Sequence, residues 1–317
     1  MRVTAAGSLP GTDFRGAVTA MAELLPDLTP LPELPDRGVG SAMTGRALGL
    51  IGDLGFDLQP AGWRLTPHSS GEHRRARAQW RSDLDDTEEL LHGFTGVLKV
   101  AVAGPWTLAT TVERPTGDAL LADHGARREL AQALHVAVTD LKAELSRRLP
   151  ESTVVVAVDE PALPAVARGA VPTASGFSKH RSVDRPELVS ALAPLGPGAW
   201  LHCCAPGRWL ALAREAGFAG VAVDSRLADP TELAQWADEG RDLALGVVQT
   251  APPLPQDVDT IVDESLRVLR DIQVAPWPGL VLGTACGLAG WDRADVAPQL
   301  RALGRAATLV EERASRG

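Results

Sequence analysis

At 317 residues and 45% hydrophobic content, the chain can bury a sizeable core and lacks the composition of a disordered protein. A net charge of −9, with no basic run denser than His73-Arg74-Arg75-Ala76-Arg77, excludes an extended nucleic-acid surface. Three cysteines, no leader-type apolar stretch after Met1 and no apolar run of transmembrane length set the expectation of a soluble protein in a reducing compartment, the cytoplasm by default, without a membrane partner.

Short aliphatic or β-branched runs alternate with helix-period stretches along the whole chain. Eight such runs lie near Val3-Thr4-Ala5, Phe56-Asp57-Leu58, Val97 to Ala103, Thr153 to Val158, Ala199 to His202, Gly220 to Val223, Leu243 to Val248 and Leu280 to Leu282. The Pro-rich stretch from Leu25 to Pro35 and the Pro252-Pro253-Leu254-Pro255 run read as long loops, lids or crossings inside the domain. Leu130, Leu134, Val138, Leu141 and Leu145 recur at spacings of three and four, which predicts an amphipathic helix. Asp184 and Asp229, with Pro just after and Glu187 and Glu232 three places on, read as helix N-caps in capping boxes. The His73–Arg77 stretch reads as a solvated helix face, with a basic loop for a polyanion as the other reading. His68, His73, His92, His124, His135 and His180 are expected at the surface or as caps.

Strand and helix alternating eight times over this length predict an α/β fold, a single (β/α)8 TIM barrel over 1–317, with a doubly wound open sheet as the competitor. Active sites of such barrels are built from loops at the carboxyl ends of the strands. Those loops read Gly7-Ser8-Leu9-Pro10, Ala103-Gly104-Pro105-Trp106-Thr107, Asp159-Glu160-Pro161, His202-Cys203-Cys204, Asp224-Ser225, Gln249-Thr250 and Cys286-Gly287-Leu288.

Along an extended segment alternate side chains share a face, so His202 and Cys204 can point at one ion while Cys203 turns into packing. With Cys286 they form a soft set of one imidazole and two thiolates, which selects zinc; inert buried cysteines are the plainer reading. Three protein ligands leave a fourth position open, and Asp224, at the end of the next strand, is its candidate, a helix cap or ion pair being the alternative. Asp159 and Glu160 are adjacent, so one is expected to face the barrel axis, where it could hold a substrate ammonium, while the other pairs with a neighbouring loop. Gly7 and Ser8 offer backbone amides to a substrate carboxylate. Trp106 is either a platform for a ring system or core.

These motifs together resemble the catalytic barrel of cobalamin-independent methionine synthase, in the superfamily that also contains uroporphyrinogen decarboxylase. The resemblance spans the whole chain and rests on Gly7-Ser8-Leu9-Pro10, Ala103-Gly104-Pro105-Trp106-Thr107-Leu108, Val158-Asp159-Glu160-Pro161-Ala162-Leu163, the His202-x-Cys204 pair and Cys286-Gly287-Leu288. It implies zinc bound through His, Cys, Glu and Cys in that order: His202, Cys204 and Cys286 match, and Asp224 stands where the family has Glu. It also implies methyl transfer from a methylated folate to the thiol of homocysteine, with Asp159 contacting the amino acid and Gly7 and Ser8 taking its carboxylate.

The chain departs from the family in three places. There is no room for a second, N-terminal barrel. The family's His-Gly-Glu loop after the second strand reads here as Gln59-Pro60-Ala61-Gly62-Trp63, and its Asp-x-His after the seventh strand reads as Gln249-Thr250-Ala251. Without that histidine the folate nitrogen loses its expected proton donor, whereas a methylcorrinoid needs none because cobalt leaves as a stable reduced ion. The expected function is a zinc-dependent methyltransferase acting on a thiol, homocysteine, with a methylcorrinoid, free or on a corrinoid protein, or methyltetrahydrofolate as donor. A non-catalytic zinc-binding barrel closed by Asp224 and a metal-free decarboxylase of the porphyrin family are the alternatives.

Overall fold

A computed structural model of the chain describes residues 1–251 and 255–314, so that most of the Pro252–Pro255 run lies outside the described residues. In chain order the strands are β1 (Arg2–Val3), β2 (Leu28–Pro30), β3 (Gly55–Gln59), β4 (Gly62–Thr66), β5 (Val97–Ala103), β6 (Val112–Glu113), β7 (Thr153–Asp159), β8 (Trp200–Cys203), β9 (Gly220–Asp224), β10 (Asp242–Val248) and β11 (Leu280–Thr284). Eight of them form one sheet in the order β1-β11-β10-β9-β8-β7-β5-β2, and every register in it is parallel. The end strands meet: Thr4 Oγ1 donates to Leu28 O at 3.0 Å. Just beyond, Leu9 N donates to Glu33 O at 2.9 Å and Glu33 N to Gly7 O at 3.1 Å. The result is the expected α/β barrel, nearly closed and flanked by helices. Among the described residues no helix is long and apolar enough to cross a membrane.

One strand lies elsewhere than predicted. Phe56-Asp57-Leu58 belongs to β3, which pairs antiparallel with β4 in a separate three-stranded sheet completed by β6. The second barrel strand is β2, inside the stretch predicted to be a long loop. It has only three residues, Leu28-Thr29-Pro30, and Pro30 sits at its end, where a missing N–H is tolerated. The loop after the second strand is therefore Leu31-Pro32-Glu33-Leu34, not Gln59–Trp63.

Strand alternation fills the lumen in layers. Leu28, Trp200, Ala244 and Val281 form an apolar floor. Lys99, Asp159 and His202 line the space above it, towards the carboxyl ends. Outside, the His124–Arg148 helix buries Leu130, Leu134, Val138, Leu141 and Leu145, as their spacing predicts. Asp184 and Asp229 cap their helices by accepting from Glu187 N and Glu232 N. The capping boxes are half-formed, because Glu187 pairs with Arg127 and Glu232 accepts from Trp209 N and Leu210 N.

Two histidines expected at the surface are buried. His73 is fully enclosed, with Nε2 2.9 Å from Leu48 O and Nδ1 3.0 Å from Ser69 Oγ. It shares the inward stripe of the Gly71–Leu90 helix with Ala76 and Trp80, while Arg74, Arg75 and Arg77 form the solvated face. His180 is buried with Nε2 3.2 Å from Asp118.

Candidate metal centre at the barrel mouth

Pleating of β8 turns Trp200 and His202 into the lumen and Cys203 into the surrounding core. Burial pushes the Cys203 thiol up to about 12, so it stays protonated and inert. Cys204, one residue past β8, returns to the face of His202, and Cys286 arrives from the loop after β11. The ligand atoms of His202, Cys204 and Cys286 all lie within 4.8 Å of one another, with the two sulfurs 3.2 Å apart. The β11 loop can approach this closely because residue 287 is glycine: a Cβ there would run into Ser8 Oγ, and Leu288 N donates to Ser8 O at 2.8 Å.

The β7–β8 register sets Asp159 opposite His202. Asp159 Oδ1 lies 2.9 Å from His202 Nδ1, which leaves Nε2 as the ring's other donor atom, 3.5 Å from Ala285 O. Burial pulls the His202 pKa down, and the Asp159 carboxylate more than offsets it, so the imidazole sits above its ordinary value. The hydrogen bond from Cys204 holds the Cys286 thiol down to about 6, burial opposing and the His202 charge assisting. Cys204 is raised in turn, first by that same bond and then by burial. One of the two sulfurs is thus predisposed to be a thiolate, the form that binds metal.

The neighbouring carboxylates divide as expected. Asp159 faces the axis, and Glu160, fully buried, accepts from Trp106 N at 2.9 Å, Thr107 N at 2.8 Å and Thr107 Oγ1 at 2.7 Å. Burial pushes the Glu160 carboxyl up to about 7 against the pull of those donors. Trp106 is core: it is 2% exposed and its Nε1 donates to Leu188 O at 3.2 Å. Asp224 ends β9, but its Oδ1 accepts from Arg226 N at 2.9 Å and it is not in the group of three. Gly7 adopts φ +136°, a conformation that favours glycine, and its carbonyl is taken by Glu33 N. Gln249, after β10, donates from Nε2 to Gly246 O at 3.3 Å.

Sequence reasoning missed three charged residues here. Glu33, 7% exposed, sits beside the Gly7-Ser8 turn, and supplies a glutamate in the second-strand loop that was expected to lack one. Burial raises its carboxyl to about 7; Arg46 is the chief counterweight, Asp159 raises it further, and His202 and Lys99 lower it. Lys99, 3% exposed in the middle of β5, donates to Ala5 O. Burial lowers its ammonium to about 8 while Asp159 and Glu33 pull it back up. Arg46, 5% exposed, stands behind Glu33 at 4.0 Å. The signal for Lys99 was a lone charge inside a valine-rich strand; Glu33 was hidden by the misplaced strand.

No known family profile matches the chain. No curated protein matches it either. Among solved structures it is similar to a B12-independent methionine synthase from Shewanella sp. W3-18-1, determined in complex with selenomethionine, at 15% identity over 98% of this chain and 98% of that one, with a TM-score of 0.66. It is also similar to a methyltransferase from Methanosarcina mazei, at 15% identity over 97% of this chain and 93% of that one, with a TM-score of 0.58. At such identity the likeness establishes a shared barrel fold over nearly the full chain.

Proposed function

We propose that the chain is a zinc-dependent S-methyltransferase of the methionine synthase type, with homocysteine as acceptor and a methylcorrinoid or methyltetrahydrofolate as donor. The observation that carries this reading is the convergence of His202, Cys204 and Cys286 within 4.8 Å at the carboxyl end of the barrel. One imidazole and two thiolates fit zinc, and a carboxylate on the far nitrogen of the histidine is the usual support for such a ligand. When bound, the metal would act as a Lewis acid that keeps the acceptor thiol deprotonated near neutral pH.

The chain's own groups do the rest. Asp159 holds the proton on His202 Nδ1, which fixes the tautomer that leaves Nε2 free as a ligand. Its second oxygen and the Glu33 carboxylate offer an ammonium site, and the Gly7-Ser8 turn offers amides to a carboxylate, as an amino-acid acceptor requires. Glu160 holds the Trp106-Thr107 turn in place. A fourth metal position would be left to the acceptor thiol, because Asp224 lies outside the group of three and turns its Oδ1 to Arg226 N. The absence of Asp224 from that group supports the catalytic reading over a zinc barrel permanently closed by Asp224. With Gln249-Thr250-Ala251 where the family carries its acid, the donor needing no proton, a methylcorrinoid, is proposed first.

The test is incubation of zinc-loaded protein with L-homocysteine and either methylcobalamin or methyltetrahydrofolate. Methionine should form, and the Cys286→Ser variant should form none. No methionine from either donor, with one zinc per chain confirmed, would overturn the reading.

A further inference from the structure

We propose that Arg46 is the positioning residue that aims Glu33 at the barrel mouth, so that Glu33 selects acceptor thiols carrying an ammonium group. The inference rests on the methyltransferase reading above. Arg46, in the Met43–Leu48 helix, is fixed on two sides: Nη1 lies 3.3 Å from Asp83 Oδ2, and the guanidinium carbon lies 3.7 Å from the centre of the Trp80 ring. Trp80 Nε1 in turn donates to Arg46 O at 2.7 Å. Asp83, 1% exposed, is held by Arg37 Nη1 and Gln79 Nε2, both at 2.9 Å. The helix cannot retreat, because a Cβ at Gly45 would run into Val39 O and one at Gly49 would stand 3.0 Å from the backbone of Ala76.

What this clamp leaves free is informative. Arg46 Nε and Nη2 are buried without a hydrogen-bond partner. They form the edge of a guanidinium that takes a carboxylate side-on through two parallel bonds. Glu33 Oε2 stands 4.0 Å from Nε, close enough to pair by charge and too far for a hydrogen bond. The Glu33 backbone is tied through N and O to the Gly7–Leu9 turn. Only its side chain can move, back onto the Arg46 edge or forward towards a ligand.

Buried ion pairs with unmade hydrogen bonds are poor stabilisers, and apolar replacements are often neutral. The Glu33–Arg46 contact therefore adds little to the stability that Arg46 already supplies through Asp83 and Trp80. A carboxylate poised between a fixed cation and the mouth accounts for the contact: an arriving ammonium finds an oriented anion, and a thiol without one leaves that anion unmatched.

The test measures binding of two probes to the zinc-loaded full chain by calorimetry: L-homocysteine and 4-mercaptobutyrate, which lacks only the amine. Wild type should prefer homocysteine. Arg46→Met should shrink that preference about tenfold or more, the worth of one charge-assisted hydrogen bond, while binding of 4-mercaptobutyrate stays put. Adding Arg46→Met to Glu33→Gln should cost nothing further, and Arg46→Lys, which keeps the charge without the fork, should recover part of the preference. A folded Arg46→Met protein that keeps the full preference, or loses both probes alike, overturns the inference. If Arg46→Met does not fold, full preference in Arg46→Lys overturns it. Zinc-loaded wild type that binds neither probe overturns the methyltransferase reading, and this one with it.

Discussion

Replacing Glu160 by alanine removes the one side-chain acceptor that the described residues offer at the start of the Pro105–Thr111 helix, since Gly104 at its N-cap has no side chain. Two buried backbone N–H groups, those of Trp106 and Thr107, would lose their partner, at roughly 1–3 kcal/mol each. Near pH 5 the expected destabilisation is therefore about 4 kcal/mol, a fall in melting temperature of about 6 °C for a chain of this length. The deficit should depend on pH in a definite direction. The folded-state pKa of Glu160 is raised to about 7, so its contribution to stability is complete below the ordinary carboxylate range and is lost as pH rises through 7. A rise of that size is worth about 3 kcal/mol, so the gap between wild type and Glu160→Ala should narrow to about 1 kcal/mol by pH 8. Urea unfolding of the metal-free proteins at pH 5 and pH 8 measures it. A deficit that is constant or grows with pH would mean that the three hydrogen bonds outweigh burial, and would refute the reasoning.

Two further outcomes follow from the same geometry. Asp159→Asn should weaken zinc binding about 10- to 100-fold in chelator competition while leaving the unfolding transition in place, because it removes the charge behind His202 Nδ1 and little packing; unchanged affinity would count against Asp159 as support for the ligand. In metal-free protein, alkylation of Cys286 should show an apparent pKa near 6, well below an ordinary thiol, and Cys204→Ala should return it upwards, with Cys203 unreactive throughout. Equal reactivity of all three thiols would contradict the placement of Cys203 in the core.

Much of the barrel was legible because its strands are apolar runs long enough to stand out, β5, β7 and β10 above all. The spacing of His202, Cys203 and Cys204 carried its own geometry: strand period alone assigns two of them to the mouth and one to the core. β2 was not legible, since three residues ending in a proline carry neither length nor alternation, while Phe56 and Leu58 in a side hairpin imitate a barrel strand. That single displacement hid Glu33. Arg46 and Asp83 were invisible for another reason: their partnership joins separate helices with no local pattern. His73 could have been found, because its spacing to Ala76 and Trp80 follows one helix face. Glu187 and Glu232 show the limit of motif reading, since both stand at capping-box positions and both spend their carboxylates on other elements.

The central claim is a zinc held by His202, Cys204 and Cys286 with a position left for a substrate sulfur. X-ray absorption of the zinc-loaded protein, recorded without and with L-homocysteine, tests it most directly. One zinc per chain with two sulfur neighbours, rising to three when homocysteine is added and falling by one in Cys286→Ser, is the expected result. A protein that holds no zinc, or a metal shell indifferent to the thiol, would contradict the account.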